Sequence, residues 1–378
     1  MKFFEPAFTI GVEEEYLLVN KETRDLVDDP PPSLLDECAA QLGEHVSPEL
    51  MRAQIEVGTV VCKGVNEAKQ EIRKLRNVIA EVSGKYGFAP IAVSSHPFAK
   101  WLDQKQTEKD RYSKLTQEMQ AAARRLLICG MHTHVGIENP DLRIDLMNQL
   151  TYFLPHLLSL STSSPFWEGE DTGLKSYRLT VFDALPRTGL PEQFASFGEY
   201  ERHVQVLVNA GVMQDASMIW WDIRPSAKYP TLETRIMDVV TNVNHGLSLV
   251  ALNVCLLRML YRARQKNQRW RVYSNMLIDE NRWRAMRYSY DEGLIDLARG
   301  EVVPCSELLE EIISFVYEDA EALDCVAEIE NLRNILVEGT SAHNQLLVYR
   351  KSIDDGADVE QALRDVVDWL IDETVRNI

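Results

Sequence analysis

Apolar and polar positions alternate along residues 8–19, FTIGVEEEYLLV, with the two-residue period of a strand buried on one face. A short QIEVGTVVC at 54–62 reads as a second strand, APIAVSSHP at 89–97 as a buried one, and RLLICGMHTHVGIE at 125–138 as a longer one. MIWWDIRPS at 218–226 and TLETRIMDVV at 231–240 flank a proline-containing turn. The period changes at 66–87, where Ile72, Leu75, Ile79 and Val82 mark one face of a helix that ends at a glycine. Further helices are expected at roughly 141–161 and 192–211, and most of the chain beyond about residue 242. Between the first two lies 161–191, a long turn-rich segment of the kind that closes over a binding site. The pattern predicts an α+β fold, one sheet with helices covering one side, in a single domain over 1–378.

Charged groups interrupt these strands. Alternation sends Glu13 and Glu15 to one face, while Glu14 shares the other with Val12, Tyr16 and Leu18. His132 and His134 share a face by the same rule, as do Glu233 and Arg235. Taken singly, each has a structural explanation: a core histidine, a cross-strand ion pair, or for Glu49 a solvated turn. Together, Glu13, Glu15, Glu49, Glu56, His132 and Glu233 come from four segments and would converge if the sheet were concave toward that face. So many carboxylates need cations, because neighbouring like charges oppose ionisation. Oxygen donors with an occasional imidazole suit magnesium or manganese better than zinc. Divalent ions in an acidic pocket are what a nucleoside triphosphate needs for phosphoryl transfer.

Composition narrows the choice. A formal net charge of −18 argues against an extended nucleic-acid surface. Six scattered cysteines without a C-x-x-C pair fit neither a zinc ribbon nor a disulfide scaffold. The opening MKFFEPAFTI lacks the unbroken apolar stretch of a signal peptide, and the apolar run 246–260 is too short to span a bilayer. A cytoplasmic protein with reduced thiols and no membrane or nucleic-acid partner is expected. The apolar faces of the helical part leave room for a homodimer.

Seven blocks in order, GVEEEYLLV, ELMRAQIE, GMHTHVG, SSPFWEGEDTGLKSYR, WWDIRPSAKYPTLETRIMD, ENRWRAMRY and GTSAHNQL, resemble the bacterial carboxylate–amine ligases of the glutamate–cysteine ligase 2 type. These belong to the glutamine-synthetase-like superfamily. The resemblance implies a curved antiparallel sheet of the glutamine synthetase and guanido kinase type, holding ATP, Mg²⁺ or Mn²⁺ and glutamate on its concave face. It implies activation of the glutamate γ-carboxylate as an acyl phosphate, then attack by an amine such as that of cysteine. It assigns the metal ions to Glu13, Glu15, Glu49, Glu56, His132 and Glu233, the set that alternation had already grouped. Arg235, Arg178 and Arg224 become candidates for the transferred phosphoryl group or the substrate carboxylate, since a guanidinium fork matches both. Glu56, Arg235 and, by analogy alone, Arg282 are assigned to the nucleotide. Two other readings of the same residues are a metal-dependent amidohydrolase using His132 and His134, and a non-catalytic amino-acid or nucleotide sensor.

Overall fold

The computed structural model describes residues 5–378, the side chains of residues 111 and 113–115 excepted. The initial MKFF, part of the start judged unlike a signal peptide, lies outside the described residues.

Seven strands build the main sheet: β1 (Ile10–Asn20), β2 (Val46–Pro48), β3 (Gln54–Gly58), β4 (Phe88–Ile91), β5 (Met131–Gly136), β6 (Ile223–Pro225) and β7 (Thr231–Thr234). Their order is β6-β7-β5-β1-β3-β2, with β4 also pairing with β1, and every pairing is antiparallel. Because β1 is the longest, its first half pairs with β5 and its second with β4. Val12, Tyr16, Ile55, Val57, Met131, Val135 and Leu232 fill one face and are buried. Helices Val65–Lys85, Pro140–Leu150, Val243–Gln265 and Val359–Thr374 pack against the sheet.

Glu14 sits on that helix-covered face, and its partner explains it. Arg76 of helix Val65–Lys85 donates to both Glu14 oxygens at 2.9 and 2.7 Å, and to the carbonyls of Val240 and Thr241, each at 2.7 Å. Tyr16 donates its hydroxyl to the same carboxylate. The pair stitches β1 to a helix and to the chain just beyond β7.

Helix Val243–Gln265 is the apolar run of the sequence, longer than that run suggested. At 23 residues it could cross a membrane by length and composition, yet 89% of its most apolar window is buried inside the protein. Three expected strands are shorter than their apolar patterns. After β4, the backbone turns to other partners, Ala92 N–H to Thr374 Oγ1 and Ser94 N–H to Ser163 Oγ. Residues 125–130 join no strand ladder of β5's sheet. Beyond β7 the Arg235 and Ile236 N–H groups both donate to the single carbonyl of Asp222, which ends the ladder. The helix expected over 141–161 is interrupted at 151–153 and restarts at Leu154, with Pro155 in its first turn, where a missing N–H costs nothing.

Candidate active site

The other face of the sheet forms the floor of a cleft of about 710 Å³. Register alone gathers its side chains: Glu13 lies opposite His132, Glu15 opposite Glu56, Glu56 opposite Ser47, and Glu233 opposite both His134 and Arg224. The cleft lining includes Glu13, Glu15, Glu49, Glu56, His132, Glu233, Arg178, Arg224 and Arg235. Arg282 is not brought there. Its guanidinium is buried between Asp222, at 2.7 Å, and Asp183, at 2.7 Å, where it ties its helix to the chain before β6. Arg284 of the same helix donates to the Glu292 and Gly293 carbonyls.

The acidic groups fall into two clusters. In the first, Glu13, His134 and Glu233 offer ligand atoms within 4.8 Å of one another; in the second, Glu15, Glu49 and Glu56 do the same. His134 therefore joins a cluster from which the sequence had left it out. Its Nδ1 is bonded to Thr231 Oγ1 at 2.9 Å, which aims Nε2 at Glu13 (3.4 Å) and Glu233 (4.0 Å). His132 contacts Glu13 through Nδ1 at 3.3 Å and Arg235 at 3.5 Å. The Nε2 atoms of both imidazoles are buried without a hydrogen-bond partner, an arrangement that a bound cation would complete.

Electrostatics differs between the clusters. Burial opposes ionisation of Glu13, but the imidazoles of His132 and His134 outweigh it and hold its carboxyl well below the usual range. Burial likewise opposes ionisation of Glu233, overcome by Arg235 and Arg224. Burial depresses His132 to about 4, aided by Arg235. In the second cluster, burial followed by the charges of Glu49 and Glu56 pushes Glu15 up to about 8. Burial, then Glu13 and Glu49, raises Glu56 to about 7. Three carboxylates with this little cationic support fit hard divalent cations, which take oxygen ligands and displace the protons.

The arginines divide the work. Arg224 grips Glu233 with Nε and Nη2 at 2.9 and 3.0 Å and spends Nη1 on the Ser217 and Ile219 carbonyls. Arg235 also donates to Glu233 through Nη1, but its buried Nε has no partner. Arg178 donates to the Arg235 carbonyl at 3.2 Å and packs against Gly130, where a Cβ would lie 2.4 Å from its Nη2. Arg178 is placed by a buried anchor: Asp238 accepts from Ser163 N–H and Ser164 Oγ at 2.8 Å and from Ser176 Oγ at 3.0 Å. The first part of 161–191 is thus wired into the interior. It reaches the cleft only through Arg178, Phe182 and Leu185, and is not a loop free to close over it. Trp167 and Tyr177 pack on each other, outside the cleft lining. Lys109 and Tyr112 also line the cleft and were not legible from the sequence, because their segment shows no chemical motif.

The sequence matches glutamate–cysteine ligase family 2 over residues 9–367. It is 57% identical to a Rhodospirillum rubrum protein named "Putative glutamate--cysteine ligase 2", over 98% of this chain and 96% of that one. A Jannaschia protein of the same name is 54% identical over 98% of each. Among solved structures, glutamate–cysteine ligase from Francisella tularensis in complex with AMP superimposes with a TM-score of 0.69 at 13% identity, over 99% of this chain and 93% of that one. A bifunctional glutathione synthetase from Pasteurella multocida also gives 0.69 at 13% identity, over 98% of this chain and 53% of that one. These two likenesses establish the fold. With a concave acidic sheet flanked by arginines and a family match along nearly its whole length, the chain belongs to glutamate–cysteine ligase family 2, and is an ATP-dependent ligase that joins a carboxylate to an amine.

Proposed function

We propose that the protein joins the γ-carboxylate of glutamate to the amino group of cysteine or a related amine, converting ATP to ADP and phosphate. The observation that carries this is the pair of acidic clusters on one sheet face with Arg178, Arg224 and Arg235 beside them. A neutral ester or amide substrate would need no such set of cations, whereas a triphosphate and two carboxylates do.

In this reading Glu13, His134 and Glu233, with His132 adjoining, would hold one Mg²⁺ or Mn²⁺, and Glu15, Glu49 and Glu56 another. Such ions offset the charge of the polyphosphate and orient it. Arg235, whose Nε is uncommitted, meets the transferred phosphoryl group. Arg178, buried and anchored, faces the substrate carboxylate, while Arg224 acts mainly by fixing Glu233. A γ-carboxylate oxygen displaces ADP from the terminal phosphorus. The amine then attacks the acyl carbon, the acyl C–O bond to phosphate breaks, and the nitrogen's proton leaves to the departing phosphate, so no enzyme nucleophile is required. Positioning and charge neutralisation supply the acceleration.

The whole chain forms one catalytic domain in this proposal, consistent with an apolar core that runs from Phe8 to Leu370. All six cysteines are buried free thiols, which supports a cytoplasmic setting. Met276, Leu277 and Trp283, exposed on one helix, offer a surface for a homodimer. The test is an ADP and phosphate assay with glutamate against a panel of amines. Product is expected only with ATP, Mg²⁺, glutamate and an amine together; AMP and pyrophosphate as products would overturn the proposal.

A further inference from the structure

Glu49 is the one carboxylate of the two clusters that no strand carries. It follows β2, where the ladder to β3 runs out in a single long bond from its N–H to the Gln54 carbonyl at 3.5 Å. What fixes it further is a second stretch of chain, residues 105–112, that runs along the turn between β2 and β3. Arg52 N–H donates to the Lys105 carbonyl and Thr107 N–H to the Leu50 carbonyl, each at 2.9 Å. Thr107 Oγ1 donates to the Glu49 carbonyl at 2.5 Å, and Arg52 Nε to the Gln106 carbonyl at 3.2 Å. At the far end the Tyr112 hydroxyl lies 2.7 Å from Glu49 Oε2 and 3.2 Å from the Pro48 carbonyl. The same stretch supplies Lys109 and Tyr112 to the cleft wall, and helix Asp110–Met119 adds Glu118.

We propose that residues 105–119 form a strap whose docking assembles the Glu15–Glu49–Glu56 cluster, with Tyr112 as the positioning residue that sets the Glu49 carboxylate. This rests on the reading of that cluster as a divalent-cation site. The physical case is linkage. A carboxylate at a strand end has rotamers to lose on binding a cation, and a phenol bonded to one of its oxygens restricts it to fewer of them. Whatever binds the cluster better with the strap docked must, in turn, favour the docked strap. Cation binding and closure of this cleft wall are therefore two views of one equilibrium. The acidic pair on the strands, Glu15 and Glu56, would remain in place with the strap away; Glu49 would not.

The experiment uses the full chain without nucleotide, Mn²⁺ as the probe, and the Tyr112→Phe variant, which keeps the ring in place. Mn²⁺ binding is followed by electron paramagnetic resonance, and backbone order by hydrogen exchange of peptides covering 105–119. Wild type is expected to show Mn²⁺-dependent protection of those peptides. Tyr112→Phe is expected to lose most of that protection and to bind one class of Mn²⁺ about 10-fold more weakly, the usual cost of removing a group that orients a ligand. Protection or affinity unchanged by the substitution overturns the strap proposal while leaving the metal reading intact. A wild-type chain that binds no Mn²⁺ at all removes the metal reading, and this inference with it.

Discussion

Changing Glu13, Glu14 and Glu15 one at a time to glutamine separates the two faces of β1. Glu14 and Arg76 are 3% and 1% exposed, so each serves as the other's buried counter-charge. Arg76 makes two of its four hydrogen bonds to Glu14 and two to the Val240 and Thr241 carbonyls. In Glu14→Gln the amide oxygen replaces one acceptor and the amide nitrogen confronts a guanidinium, leaving a buried cation without a counter-charge. Breaking such a pair costs about 3–5 kcal/mol. A chain of this length unfolds with an entropy of about 0.8 kcal/mol/K, so 4 kcal/mol lowers the melting temperature by about 5 °C. Turnover per folded molecule should stay near wild type, because Glu14 does not reach the cleft. Glu15→Gln should do the reverse. Pushed up to about 8, its carboxyl is largely neutral at pH 7 in the folded metal-free protein but ionised in the unfolded chain, so removing it should raise the stability of the metal-free protein. Turnover should fall by on the order of 100-fold, as a cation loses a charged ligand. Glu13→Gln should lose turnover as well. The assays are thermal unfolding by circular dichroism and steady-state ADP release. A Glu14→Gln protein with wild-type melting and lost turnover would refute the assignment of faces.

Arg235→Lys keeps the charge but not the fork, and should lower kcat by roughly 100-fold with little change in the Mg²⁺ titration; Glu233→Gln should lose activity that high Mg²⁺ partly restores. Unchanged turnover in both would reduce the pair to a cross-strand ion bridge. His96 accepts the Phe98 and Ala99 N–H groups through Nδ1 and bonds the Arg24 carbonyl through Nε2, so both nitrogens are used in the neutral ring, and burial depresses it to about 4. The unfolded chain binds this proton from about pH 6.5 downward, so the contribution is complete above 6.5 and is lost as pH falls toward 4, amounting to roughly 2 kcal/mol between pH 7.5 and 5. Urea unfolding of wild type and His96→Gln at the two pH values should show a smaller pH effect in the variant; equal effects would mean that His96 does not titrate in this range.

Much of the cleft was legible because strand alternation is a strict rule. Glu13, Glu15, Glu56, His132 and Glu233 sit on short stretches whose period is plain, and the antiparallel register places them together. Glu14 was legible for the same reason, although its partner Arg76, 62 residues away, was not. Apolar periodicity overran the strand ends, since a buried segment looks the same whether its N–H groups meet a strand, a serine or the Asp222 carbonyl. The helix Pro32–Leu42 and strand β2 escaped notice, one behind a run of prolines and the other only three residues long. Arg282 carried the same residue type as the cleft arginines, and only the three-dimensional placement of Asp183 and Asp222 decides that it is structural. Tyr112 and the 105–119 strap depend on contacts more than 50 residues apart in sequence, for which no local pattern exists.

The most direct test of the chemistry is the fate of oxygen from the activated carboxylate. Glutamate labelled with ¹⁸O in its γ-carboxylate would be turned over with ATP, Mg²⁺ and the best amine from the panel, and the phosphate analysed by mass spectrometry. Passage through an acyl phosphate predicts one ¹⁸O atom transferred to each phosphate released with ADP. Unlabelled phosphate, or label recovered in AMP, would contradict the account.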